Sequence, residues 1–117
     1  MKHSFNIELA KKYGILEAIL LQHIYNSIKE NKANNEYFYD GKYWTYSSRK
    51  AFSELFTYAS EKQIRSALEK LKNLNILLTG NYNKHWSDRT LWYTFTDNGL
   101  SIIHGYLDTN KNCDDMR

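Results

Sequence analysis

An α+β fold, mostly α, follows from three features of the sequence. Two segments, over residues 15–31 and 60–73, carry apolar residues at helical spacing. Two aromatic runs flank Asp40-Gly41, a strong short hairpin signal because a type I′ turn needs positive φ at both central residues. Nearer the C-terminus, an apolar run and an alternating run read as two strands separated by a polar loop.

The elements follow in order. Asn6 caps a short helix from Ile7 to Tyr13, and Gly14 stands where a helix stop or sharp junction would place it. A longer helix runs from about Ile15 to Asn31. Its apolar residues Leu16, Ala18, Ile19, Leu20, Leu21, Ile24, Tyr25 and Ile28 cover more than one stripe, so it packs on two sides or supplies a subunit contact. Ile15, Ile19, Leu20, Ile24 and Ile28 are the candidate dimer interface. The Asn/Lys/Glu run from Lys29 to Glu36 breaks this pattern, and the run Tyr37 to Thr45 forms the hairpin. Ser47 or Ser48 caps a further helix with Ala51, Phe52, Leu55 and Phe56 on one face, closed by a turn at Thr57-Tyr58-Ala59.

Ser60-Glu61-Lys62-Gln63 fits a capping box, with Ser at the N-cap and Gln three residues on. The helix it opens buries Ile64, Ala67, Leu68 and Leu71. Stepping about 100° per residue points Lys62, Ser66, Glu69 and Asn73 away from the core, flanked by Arg65 and Lys70. Ile76 to Thr79 and Thr90 to Thr96 are the two strands, the latter with Leu91, Tyr93 and Phe95 on one face and Trp92 off it. The loop Gly80 to Arg89 joins them. Thr96 or Asp97 caps a last helix through Leu100, Ile103 and Leu107, and residues 108–117 form a polar, flexible tail.

Helix, small hairpin, helix, turn, capped helix, strand, loop, strand is the element order of a winged helix-turn-helix, here with an additional small β-hairpin and a C-terminal helix over residues 1–107. In that architecture the second helix of the pair enters the DNA major groove, and the loop between the strands, the wing, reaches phosphates or the minor groove. The strings Glu36-Tyr37-Phe38-Tyr39-Asp40-Gly41-Lys42-Tyr43-Trp44-Thr45-Tyr46, Thr79-Gly80-Asn81-Tyr82-Asn83-Lys84 and Asp88-Arg89-Thr90-Leu91-Trp92-Tyr93-Thr94 carry a resemblance beyond topology. They resemble the N-terminal winged-helix domain of replication-initiation and replisome-organiser proteins of phages and mobile elements, broadly DnaD-like. The step Thr96-Asp97-Asn98-Gly99-Leu100 is similar to the wing-to-helix junction of many winged-helix regulators. The resemblance covers residues 5 to 105 and implies a DNA-linked role in replication initiation or transcription control, with replication proteins as further partners. Members of that family usually continue into a second, C-terminal domain.

Composition bounds the reading. A chain of 117 residues, 42% hydrophobic and 25% charged, is a single globular domain and neither disordered nor collagen-like. Its longest apolar stretch, Ala18 to Leu21, is far short of a membrane span, and Met1 to Asn6 carries no export signal. One cysteine, Cys113, excludes an internal disulfide framework, so a cytoplasmic setting is expected. Net charge is only +3. It concentrates in residues 47–75, where Arg49, Lys50, Lys62, Arg65, Lys70 and Lys72 face Glu54, Glu61 and Glu69, a localised pointer to a polyanion.

Candidate contacts to double-stranded DNA follow from that distribution. Ser60, Lys62, Gln63, Arg65, Ser66 and Lys70 lie on the capped helix, where an Arg fork engages a guanine edge and Lys neutralises phosphate. Ser48, Arg49 and Lys50 open the preceding helix and can bind phosphate through side chains and amides. Lys84, His85 and Arg89 belong to the loop, with Asp88 placed to hold Arg89. Each group also fits a bland alternative: a solvated helix face, a capped helix start, a polar turn. The aromatics invite base stacking, but with so few aliphatics around the hairpin most are needed for packing, Trp86 and Trp92 excepted.

Catalysis is not expected. His3, His23, His85 and His104 are scattered without metal-ligand spacing, Cys113 lies in a polar tail, and no Gly-rich phosphate loop occurs, so neither metal nor cofactor is implied. The rival to DNA binding is a protein-interaction module, an adaptor or inhibitor of a replication or host-defence component, favoured by the low net charge, by Glu61 and Glu69, and by an exposed Trp pair.

Overall fold

The computed structural model describes residues 6–46, 59–85, 87 and 90–108. Helices α1 (Ile7–Tyr13) and α2 (Ile15–Ala33) lead into strands β1 (Phe38–Tyr39), β2 (Lys42–Tyr43) and β3 (Thr45–Tyr46). Then come α3 (Glu61–Asn73), β4 (Leu77–Gly80), β5 (Trp92–Phe95), α4 (Asp97–Ile103) and a π-helical turn His104–Asp108. The protein is α+β and mostly helical, with small antiparallel sheets. The expected helix bearing Ala51, Phe52, Leu55 and Phe56 lies outside the described residues, as do residues 109–117 of the expected tail.

Local chemistry accounts for most boundaries. The Asn6 side chain accepts from Leu9 N at 2.9 Å and caps α1. Gly14, at φ +117°, serves both as the end of α1 and the start of α2. Both longer helices stop with asparagine in the left-handed region, Asn35 and Asn75. After α3 the amides of Asn75 and Ile76 bond Lys72 O and Leu71 O, each at 3.0 Å, a Schellman ending that needs no glycine because Asn tolerates that conformation. Asp40 (φ 53°) and Gly41 (φ 80°) form the expected turn, pairing Phe38 with Tyr43 and Tyr39 with Lys42.

The larger sheet has strand order β3-β5-β4, antiparallel throughout. Thr45, expected to end the hairpin, instead pairs with Tyr93, and Tyr46 beside it pairs with Trp92. The chain turns away from the hairpin at Trp44, whose carbonyl accepts from Asn31 Nδ2 at 2.9 Å and whose indole N–H donates to Tyr39 O at 2.9 Å. Strand β5 thereby becomes the centre of the sheet, and all four of its residues are buried.

One core joins α1, α2, α3, the sheet and α4, built from Leu9, Leu20, Leu21, Ile24, Ile64, Leu71, Ile76, Phe95 and Ile103 among others. The breadth of apolar surface on α2 is consumed within the protomer, because this helix touches α1, α3 and strands β2, β3 and β5. Most of the candidate dimer-interface residues are therefore covered by their own protomer. Ile19, Leu20 and Ile24 are 6%, 0% and 0% exposed, Ile28 packs against the same core, and of the five only Ile15 stands out, at 61%.

A second, aromatic cluster corrects the reading of Trp92. Trp92 is buried, not exposed, because the hairpin folds back over the face of β5 opposite the main core. Its indole meets the rings of Tyr37, Tyr39, Tyr46 and Tyr82 at centroid distances of 5.5, 5.7, 4.6 and 5.8 Å. Gly80 makes this packing possible: a Cβ there would lie 3.0 Å from Tyr82 and 3.1 Å from the Trp44 ring.

Candidate nucleic-acid interface

The capped helix α3 carries the centre of the candidate site. Both halves of its capping box form, Gln63 N donating to Ser60 Oγ at 3.1 Å and Ser60 N donating to Gln63 Oε1 at 2.8 Å. Ile64, Ala67, Leu68 and Leu71 face the core, so Lys62, Arg65, Ser66 and Glu69 project into solvent, as helical periodicity requires. Ser60 and Gln63 are exposed too, but each spends its side chain on the other's backbone.

Lys70 makes contacts within the fold that its sequence position does not show. Its ammonium donates to Tyr13 O at 2.7 Å and lies 3.5 Å from Glu17 Oε2. The orphan carbonyls at the end of α1, together with the Glu17 carboxylate, attract a cation there. Lys70 therefore ties α3 to the α1–α2 junction while its half-exposed side chain stays at the border of the outer face.

Two depressions border that outer face. One, of about 450 Å³, is lined by Arg65, Ser66, Glu69, Lys70, Asn73 and Leu74. The other, of about 90 Å³, runs between α3 and the sheet and is lined by Arg65, Leu68, Glu69, Lys72, Thr79, Leu91 and Tyr93. Arg65 is thus brought beside the base of the β4–β5 hairpin. Thr79 and Leu91 were not singled out from sequence, and Lys72 entered only through its charge; the helical wheel puts Lys72 about 80° from Ile64, at the edge of the buried face, and no local signal shows that the strands approach it.

The loop after β4 is organised at its stem. Asn83 Nδ2 donates to Thr90 O at 2.8 Å while Asn83 Oδ1 accepts from the Trp92 indole at 2.8 Å, so one side chain ties the two arms of the loop together. Tyr82 stacks on Tyr39, and its hydroxyl donates to Asp40 Oδ2, which pushes the phenol up to about 12 from its ordinary 10.0. Lys84 and His85 are exposed beyond this stem, with the His85 ring 2.7 Å from Ser87 Oγ. Ser48, Arg49, Lys50, Trp86, Asp88 and Arg89 lie outside the described residues.

Among the described residues no helix is long and apolar enough to cross a membrane, and no group of three or more His, Cys, Asp or Glu side chains is placed to hold a metal ion. Comparison with family models, curated proteins and solved structures gives no match to this chain.

Proposed function

We propose that this protein is a winged helix-turn-helix domain that binds double-stranded DNA without catalysing a reaction, α3 entering the major groove and the β4–β5 loop bracing it as a wing. The observation that carries this reading is the position of Arg65: exposed on α3 and sharing a cleft with Thr79 and Leu91 at the base of the β4–β5 hairpin. A helix and a wing acting on one duplex need that adjacency. Lys62 and Ser66 extend the helix face, and Lys84 and His85 extend the wing. A cytoplasmic role in replication initiation or transcription control rests on the resemblance of the hairpin and wing strings to phage replication initiators.

Fluorescence anisotropy of the purified chain against mixed-sequence duplex, single-stranded DNA and heparin, across a salt series, tests this. The expected outcome is a duplex preference whose log affinity falls linearly with log salt. Replacing Lys62 and Arg65 by Ala should weaken duplex binding by about 1–3 kcal/mol for each base edge no longer read and flatten the salt slope. Unchanged binding by the folded double variant would overturn the assignment of α3 as the DNA-reading helix.

A second reading, a winged-helix module that binds another protein, draws on Glu61 and Glu69, exposed on the same helix, and on the engagement of the Lys70 ammonium by Tyr13 O of α1. Absence of duplex binding at low salt, with capture of a replication protein, would favour it.

A further inference from the structure

The acidic residue on the outer face of α3 is the least expected feature of a surface that meets phosphates. Glu69 is one helical turn beyond Arg65, and both are exposed. They are the two residues that line the outer depression and the inner cleft alike, apart from which the two linings differ. Arg65 and Glu69 therefore form a ridge with a depression on either side, the shape a groove floor accepts between its two walls.

Opposite charges four residues apart on a helix can pair, yet no ion pair joins these two among the described residues. The order Arg before Glu is the weaker one for such pairing. Elsewhere, carboxylates that meet a cation do pair, Glu17 with Lys70 at 3.5 Å and Asp97 with Lys42 at 3.1 Å. Arg65 and Glu69 thus keep complementary, unspent hydrogen-bonding groups on the ridge: a planar fork of donors and a pair of acceptor oxygens.

Those groups match two different base edges. In the major groove a guanine offers two acceptors, N7 and O6, to an Arg fork, and a cytosine offers its N4 amino group to a carboxylate. A carboxylate set among phosphates is unfavourable unless it receives such a donor. We propose, resting on the duplex-binding reading above, that Arg65 and Glu69 are specificity-determining residues that read a guanine and a cytosine lying within one short step of the major groove.

The test is selection of bound sites from a randomised duplex pool by the full chain, followed by anisotropy on single-base variants of the enriched site. The expected enriched site contains guanine and cytosine within one step. Glu69→Ala should abolish the preference at the cytosine alone, a loss of about five- to hundredfold in discrimination, and leave the guanine preference intact. Arg65→Ala should do the converse. Both side chains are exposed, and thermal melts check that each variant folds. If Glu69→Ala instead raises affinity for every duplex by one factor with preferences unchanged, Glu69 is merely a solvated charge and the proposal is overturned. Duplex binding by the wild-type chain with no base preference also overturns it while leaving the DNA-binding reading in place, whereas no duplex binding at all removes both.

Discussion

Tyr39 and Tyr82 stack face to face, ring centroids 4.5 Å apart and planes within 7°, although 43 positions separate them in the chain. The first belongs to the small hairpin and the second to the loop after β4, so this stacking, with the Tyr82 hydroxyl donating to Asp40, couples the two. The hairpin is in consequence a brace for the β4–β5 loop as well as a cover for Trp92.

That coupling has a pH signature. The Tyr82 phenol is raised from 10.0 to about 12, chiefly by its hydrogen bond to Asp40, so the protonated form is the one favoured in the folded protein. Its contribution is complete below pH 10 and fades as pH rises through the folded value near 12. A near-ultraviolet phenolate titration of wild type against Tyr82→Phe should show one late-titrating tyrosine that the variant lacks; superimposable curves at high pH, apart from one ordinary tyrosine, would contradict it.

Gly99 is held tightly for a different reason. A Cβ on it would lie 2.1 Å from Ile76 O, a backbone atom that also accepts from Thr96 N at 3.0 Å. Gly99→Ala gains up to about 1 kcal/mol of helix propensity but must push α4 off the start of β4. The net expectation is a loss of about 1–3 kcal/mol in urea unfolding. Unchanged stability would mean that α4 tolerates displacement.

Lys70 and Lys62 separate stability from binding. Lys70→Met keeps the aliphatic stem and removes the donor to Tyr13 O, and it should cost about 0.5–1.5 kcal/mol of stability with little change in duplex affinity. Lys62→Ala should do the reverse. Equal losses of duplex affinity in the two variants would return Lys70 to the DNA-facing surface.

Ile24 tests the fate of the broad apolar face of α2. It is fully buried in the protomer, so Ile24→Ala should cost about 2–5 kcal/mol through the cavity it leaves. Sedimentation should find the same oligomeric state as wild type. A change of state with unaltered stability would place Ile24 at a subunit contact instead.

Elements whose cause is local are legible from residue spacing alone. The capping box at Ser60 and Gln63, the Asn6 cap, a last-helix cap at Thr96 or Asp97 (Thr96 in the fold), the Asp40-Gly41 turn and the exposed face of α3 all depend on residues within a turn or two of one another. Strand ends are less legible: the run Ile76–Thr79 shifts one residue on to Leu77–Gly80 and Thr90–Thr96 narrows to Trp92–Phe95, because pairing with a distant partner sets where a strand stops. Long-range packing alone takes Thr45 from the hairpin and pairs it, with Tyr46, to β5, seals Trp92 beneath four tyrosines, buries Ile19, Leu20 and Ile24 of α2 within one protomer, and turns Lys70 to Tyr13. Each of these joins residues far apart in the chain, and a residue's periodicity says which face it occupies but not what the fold brings against that face.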